Sequence, residues 1–231
     1  MLQGPAFWLA ITLAIYAVSA AINRRCNKTP LLNPTLLSIA GVAVVLTLSG
    51  TSYQKYFEAV AILHFLLGTA VVALALPLYN NLTRLKGRWL TMAVALAAGS
   101  VTSMLVGMAV AILAGGSTLA IISLAPKSAT AAVSMEISRL IGGTPAVTGV
   151  FTILTGITGA VLGPYVLDLA EVRSHEARGF AMGVVSHGIA TARAFSESEI
   201  AGSFAGLGMV LNAILTSLLV PLVLKALPIA V

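Results

Sequence analysis

The sequence predicts an all-α polytopic membrane protein with about six full transmembrane helices and two broken or re-entrant helical segments in an inverted repeat. Three observations lead there. Of 231 residues, 58% are hydrophobic and 9% charged, whereas a soluble domain carries about 25% charged residues. Mean hydropathy is +1.01, more apolar side chain than one water-soluble core of this size hides, because small domains keep a large surface-to-volume ratio. The charges fall in short groups that leave 1–23, 29–54, 59–83, 89–126, 140–167 and 200–224 free of Lys, Arg, Asp and Glu. A soluble enzyme, a secreted module and a nucleic-acid-binding domain are all poor fits. The net charge of +6 forms no continuous basic stripe of the kind nucleic acid requires.

Each charge-free stretch holds the roughly 20 apolar residues that a span needs. Spans are expected near 5–22, 33–50, 60–80, 89–114, 145–169 and 203–226. No Lys or Arg precedes the first run, and Arg24, Arg25 and Lys28 follow it. A signal peptide carries its positive charge first, so this run reads as a retained helix with its N-terminus outside. The positive-inside rule then places Arg24, Arg25 and Lys28, and also Arg84, Lys86 and Arg88, on the cytoplasmic side, with the 51–58 loop outside. The expected organisation is a three-span scaffold over 1–88 and a core bundle over 89–231.

Two apolar stretches, 117–140 and 179–199, are interrupted in the middle. Pro126 removes a backbone donor in the first, and Gly188 follows His187 in the second. Irregular backbone at membrane depth is tolerated only where it is buried in protein or lines a cavity. Both therefore read as broken helices or re-entrant hairpins. If 117–140 enters and returns on one side, the following span brings Arg173, His175 and Arg178 inside; if it crosses fully, they lie outside. Positive charge favours the hairpin. Ala129-Thr130-Ala131 and Ala190-Thr191-Ala192 occupy equivalent places in the two segments, each behind a long Gly- and Thr-containing span. Paired interruptions in two halves of opposite orientation point to a transporter site, although three small residues also match by chance in Ala-rich sequence.

Lys127 carries the most information. It follows 38 charge-free residues, and an ammonium at the centre of a span costs about 2.5–3.5 kcal/mol. Either it snorkels from a loop to the interface or it sits in a polar cavity with an anion. Pro126 and Ser128 suit the first turn and cap of a helix through Ala129–Ser138, whose N-terminal donors favour negative charge. Thr130 adds a hydroxyl. The second interruption offers Ser186, His187, Thr191 and Arg193. His187, in the charge-free stretch 179–192, is either a structural hydrogen-bonding residue or a proton-coupling group. Arg193 keeps its charge, as a partner of Glu197 four residues on or as a substrate clamp. Glu136 and Arg139 read as a mutual i, i+3 pair, His64 as an interhelical hydrogen bond, Asn33 as a helix cap, and 77–81 as a helix end. The one cysteine, Cys26, reads as a loop thiol. Nothing in the sequence has the form of a phosphate-binding loop, a Cys/His metal site, a nucleophile elbow or paired intramembrane aspartates, so neither an enzyme nor a cofactor is expected.

At these segments the sequence resembles the CidB/LrgB family of bacterial inner-membrane proteins. The resemblance is carried by Val-Val-Ala-Leu-Ala-Leu-Pro-Leu-Tyr (71–79), Pro-Lys-Ser-Ala-Thr (126–130), Ile-Gly-Gly-Thr-Pro-Ala (141–146) and the long 177–194 run, Ala-Arg-Gly-Phe-Ala-Met-Gly-Val-Val-Ser-His-Gly-Ile-Ala-Thr-Ala-Arg-Ala. With 31–37 it covers nearly the whole chain. It implies a multi-pass protein of the bacterial inner membrane, and two kinds of function. One is antiholin-like modulation of murein hydrolase export and lysis with a small holin-like partner of the CidA/LrgA type. The other is carriage of small carboxylates such as pyruvate, with glycolate and glycerate for the plastid relative. It also implies kinship with carriers whose crossed broken helices bind at mid-membrane. Together with the residues, this gives the expectation of a homodimeric secondary carrier. Lys127 and Ser128 would hold the carboxylate, Thr130, Ser186 and Thr191 the other oxygens, and His187 and Arg193 would tune charge. Few aromatics and many small residues at the site favour a substrate of a few carbons.

Overall fold

The computed structural model describes residues 4–26, 29, 32, 34–73, 79 and 87–226. The expected helix cap at Asn33, the side chain of His64, the basic residues Lys28, Arg84 and Lys86, and the 77–81 helix end apart from Tyr79 lie outside the described residues. The chain divides into two units, Met1–Ala75 and Leu76–Val231.

In the first unit, α1 spans Pro5–Arg25, α2 Pro34–Ser49, α3 Tyr53–Ala59 and α4 Ala61–Ala73. Pro5 opens α1 at a position where its missing N–H costs nothing, and Arg24 and Arg25 close it where cations suit the macrodipole. The short α3 is capped by Ser52 and turns 117° away from α2. It carries Tyr53, Tyr56 and Phe57, which stack with one another and with Trp8 of α1.

The second unit holds α5 (Trp89–Leu113), α6 (Thr118–Leu124), α7 (Ala131–Leu140), α8 (Pro145–Leu169), α9 (His175–Glu197) and α10 (Glu199–Ala226). Four helices, α1, α5, α8 and α10, are long and apolar enough to cross a bilayer by themselves, and the bent pair of α2 and α3 makes a fifth span if taken together. The expected 33–50 span is only a 16-residue helix, about 24 Å long at 1.5 Å per residue. The expected 60–80 span is described as helix over Ala61–Ala73. Large apolar side chains cover the outer faces, among them Leu113, Leu169, Val106 and Ile214, as suits helices solvated by lipid tails.

Both interrupted segments fold back on themselves. In the first, Ser117 caps α6, the chain turns through Ala125–Thr130, and α7 returns. Ser123 of α6 and Ser138 of α7 both lie within hydrogen-bonding distance of the Thr148 hydroxyl, at 2.8 and 2.7 Å. A continuous helix would hold residues 15 positions apart about 22 Å from each other. The second hairpin is contained in α9, where Ser186 and His187 leave helical geometry, His187 at φ 44°. Arg178, near its start, reaches Glu197, at its end. The arms are thus 175–185 and 188–197.

The hairpins start from opposite ends of this unit. The first leaves the far end of α5. The second starts at Ser174, which lines one cavity with Arg88 and Thr91 at the near end of α5. Asp168, closing α8, bonds to Arg178 at that same end, so α8 runs antiparallel to α5. Arg88, Arg173 and Arg178 therefore share one basic end, the arrangement expected of a hairpin over 117–140.

α10 follows the first arm of α9 in parallel. A Cβ on Gly179 would overlap the carbonyl of Ala201, and one on Gly183 would overlap that of Ala205. Only glycine lets the backbones approach this closely, which is how helices gain van der Waals contact in lipid. Around the second hairpin one core is made mostly of alanines, Ala160, Ala190, Ala194, Ala201 and Ala205 with Met182, and a second of Phe180, Val184 and Phe204. Around the first the core is bulky, with Met104, Met108, Ile122, Leu124 and Leu224.

Candidate functional site

The turn of the first hairpin is held by a carboxamide on α10. Asn212 is fully buried, and its Nδ2 donates to the Ser128 carbonyl at 2.9 Å. Its Oδ1 accepts from Ser100 of α5 at 2.5 Å and from Thr216 at 3.3 Å. The break strips the Ser128 carbonyl of a helical partner, and a buried amide meets that need. Pro126 and Ser128 are themselves buried. Lys127, between them, is half-buried and donates from Nζ to Ser103 of α5 at 3.4 Å. Its stem lies across Gly107, where a Cβ would collide with it. Lys127 is thus not an exposed loop residue.

The helix expected through Ala129–Ser138 begins two residues later, at Ala131, with Thr130 as N-cap. Ser128 does not cap it; its oxygens face Asn212. Thr130 makes no side-chain capping bond and is half-buried.

The second turn is held by α8. His187 is buried, and its Nε2 lies 2.9 Å from the Thr152 carbonyl. A carbonyl only accepts, so Nε2 carries the proton, which in a neutral ring makes Nδ1 the acceptor. A Cβ at Gly156 would come within 2.6 Å of the ring, and one at Gly159 would overlap the Ser186 hydroxyl. The two glycines therefore make room for this turn. Thr191 donates to the His187 carbonyl at 2.8 Å, satisfying backbone freed by the kink. Left-handed φ at a non-glycine residue costs on the order of 1–3 kcal/mol, although Gly188, which would adopt it freely, is the next residue.

One residue touches both hairpins. The Thr152 hydroxyl lies 2.9 Å from that of Ser134 on α7, while its carbonyl takes the His187 ring. The structure thus ties the α7 arm of the first hairpin and the His187 turn of the second to one residue of α8, while the Lys127–Ser128 turn is held by α5 and α10. Arg193 lies elsewhere, a turn and a half along the second arm from His187, where it pairs with Glu197 at 3.7 Å. Glu136 and Arg139 form their mutual pair at an exposed site.

Asn212, Thr152, Ser100, Ser103 and Ser134 were not singled out in the sequence. Asn212 left a usable signal: a lone carboxamide in a charge-free span needs partners. The hydroxyl residues left none, because Ser and Thr in membrane helices usually bond to their own backbone.

Comparison with known proteins gives the family. The LrgB-like family model matches residues 12–226. The holin-like protein CidB of Staphylococcus epidermidis is 34% identical over 216 residues, 94% of each chain. The holin-like protein CidB of Staphylococcus aureus is 31% identical over the same span and coverage. The protein YwbG of Bacillus subtilis is 32% identical over 217 residues, 94% of this chain and 96% of its own. No solved structure matches the chain. The chain belongs to the LrgB-like family and is a multi-pass bacterial membrane protein.

Proposed function

We propose that this member of the LrgB-like family is a secondary carrier of small monocarboxylates or 2-hydroxycarboxylates of the pyruvate, glycolate and glycerate type. The observation that carries the reading is a pair of re-entrant hairpins, one bearing an ammonium at its turn and the other an imidazole, linked through Thr152, which meets Ser134 of the first and His187 of the second. Lys127 and Ser128 hold the carboxylate. Thr130, Ser186 and Thr191 offer oxygens to the rest of the substrate, and His187 is the group that couples charge. Arg193 acts through Glu197 on the hairpin rather than on the anion. The span-plus-hairpin units 89–140 and 145–197 form an inverted repeat that moves against the scaffold of 1–88, with a homodimer as the fixed frame. The basic end is cytoplasmic by the positive-inside rule.

The names of the staphylococcal relatives favour a second reading: a lysis modulator of the antiholin type, assembled with a small CidA/LrgA-type membrane protein and carrying nothing. A module that only assembles has no use for a half-buried cation and a strained, buried histidine at the turns of two hairpins. Uptake of labelled pyruvate, glycolate and glycerate into proteoliposomes separates the two. The carrier shows saturable uptake and counterflow, and Lys127→Ala abolishes both while folded protein remains. Uptake equal to that of empty vesicles for every acid defeats the carrier; uptake without saturation or counterflow makes it a passive channel.

A further inference from the structure

A cavity of about 470 Å³ opens between α5 and the first arm of α9. Its mouth is at the basic end, where Arg88 and Thr91 face Ser174 and Glu176. Its floor is formed by Gly99, Val184 and Phe204. At the floor the two walls nearly touch, since a Cβ on Gly99 would sit 3.2 Å from a Val184 methyl. Immediately beyond it on α5 come Ser100 and Ser103, the partners of Asn212 and Lys127. Gly99 and Ser103 are one helical turn apart, about 6 Å. The cavity therefore leads from a mouth that carries both Arg88 and Glu176 to within one turn of the half-buried Lys127 ammonium and stops where Val184 meets Gly99.

We propose that this cavity is the cytoplasmic antechamber of the anion site and that Gly99 and Val184 form its closed inner gate. The identity of the cargo rests on the carrier reading; the existence of a water-filled passage does not. Arg88 offsets Glu176 at the mouth, so that removing it leaves a net negative entrance that turns small anions away. The largely apolar wall between mouth and gate offers an anion nothing to stay for, so the two cations, Arg88 outside and Lys127 inside, define the ends of the path. The first arm, which forms one wall, also carries Ser186 and His187 at its tip, so a shift of that arm changes gate and site together.

The test is thiol labelling of Ala95→Cys, a cavity-wall position, in a Cys26→Ser background that removes the free native thiol. Small anionic and cationic methanethiosulfonates are applied to inside-out and right-side-out vesicles. The antechamber predicts labelling at least on the order of tenfold faster from inside-out vesicles, with the anionic reagent favoured. Arg88→Gln lowers the anionic-to-cationic rate ratio by about three- to tenfold. Equal labelling from both faces, or an unchanged ratio in Arg88→Gln, overturns the proposal. Labelling by apolar maleimides alone also overturns it, making the cavity an acyl-chain groove. These rates are read without any transport, so a chain that labels as expected but takes up no acid keeps the passage and loses only the cargo.

Discussion

The two hairpins share a plan and differ in what fastens them. Each starts on a capping serine, Ser117 or Ser174, and each ends beside its own start. The first is fastened by neutral hydroxyls. The buried Thr148 hydroxyl donates to the Ser123 carbonyl, and the Ser123 hydroxyl accepts the Thr144 N–H at 2.8 Å. The second is fastened by ions. Arg178 reaches Asp168 at 2.7 Å, the Val172 carbonyl at 3.1 Å and Glu197 at 3.7 Å, and Glu197 also meets Arg193. The first is wedged among methionines and branched aliphatics; the second packs alanines and glycines on one side and Phe180, Val184 and Phe204 on the other. A base of hydroxyls under bulky packing makes a static support. An ionic base, with small residues on one side and a cavity on the other, makes an arm that can shift. We therefore assign the moving part of the cycle to the second hairpin.

The sharpest way to break this contrast is to remove the ion at its centre. Arg178→Met leaves Asp168 and Glu197 without their shared cation, and Glu197 is largely buried, with 17% of its side chain exposed. Glu197 keeps Arg193 at 3.7 Å, so the expected loss is about 1–3 kcal/mol, read as a lower midpoint of thermal unfolding in detergent. The double exchange Arg178→Glu with Glu197→Arg recovers part of it. The matching change in the first hairpin, Thr148→Val, keeps the shape but deletes the hydroxyl. It leaves the Ser123 carbonyl unsatisfied and costs about 1–3 kcal/mol.

At the turns, His187→Gly relieves the left-handed backbone and raises stability by up to about 1–3 kcal/mol, less the lost ring packing and its bond to Thr152, while carriage of acid is lost. A variant as active as the parent would make the strain incidental. The smallest expected effect comes from salt. Raising ionic strength screens the Asp168–Arg178 pair, whose Asp168 side chain is 58% exposed. It speeds hydrogen exchange at the base of the second hairpin by a fewfold and leaves the Thr148 region unchanged.

Much of this plan was legible in the sequence because charge and proline are loud signals in an apolar chain. The charge-free stretches located α1, α5, α8 and α10, and Pro126 and His187 marked both turns. The positive-inside argument for a hairpin agrees with Arg88, Arg173 and Arg178 sharing one end. What stayed hidden is what depends on the third dimension. No spacing reveals that Thr152 serves both hairpins, or that Arg178 and Glu197, 19 positions apart, are neighbours. The helix start moved from Ala129 to Ala131 because Asn212, 84 positions away, takes up the Ser128 oxygens that a cap would need. Gly179 and Gly183 looked like general packing residues, yet their alignment with Ala201 and Ala205 is what sets α10 parallel to the first arm.

The most direct measurement is a titration of the purified protein with pyruvate, glycolate and glycerate, followed by its thermal midpoint, for the parent chain and for Lys127→Met. The account predicts a saturable rise in midpoint for at least one acid in the parent, as mass action requires of a ligand that binds only the folded state, and no rise in Lys127→Met. Equal rises in both proteins, or none in the parent for any small acid, would contradict it.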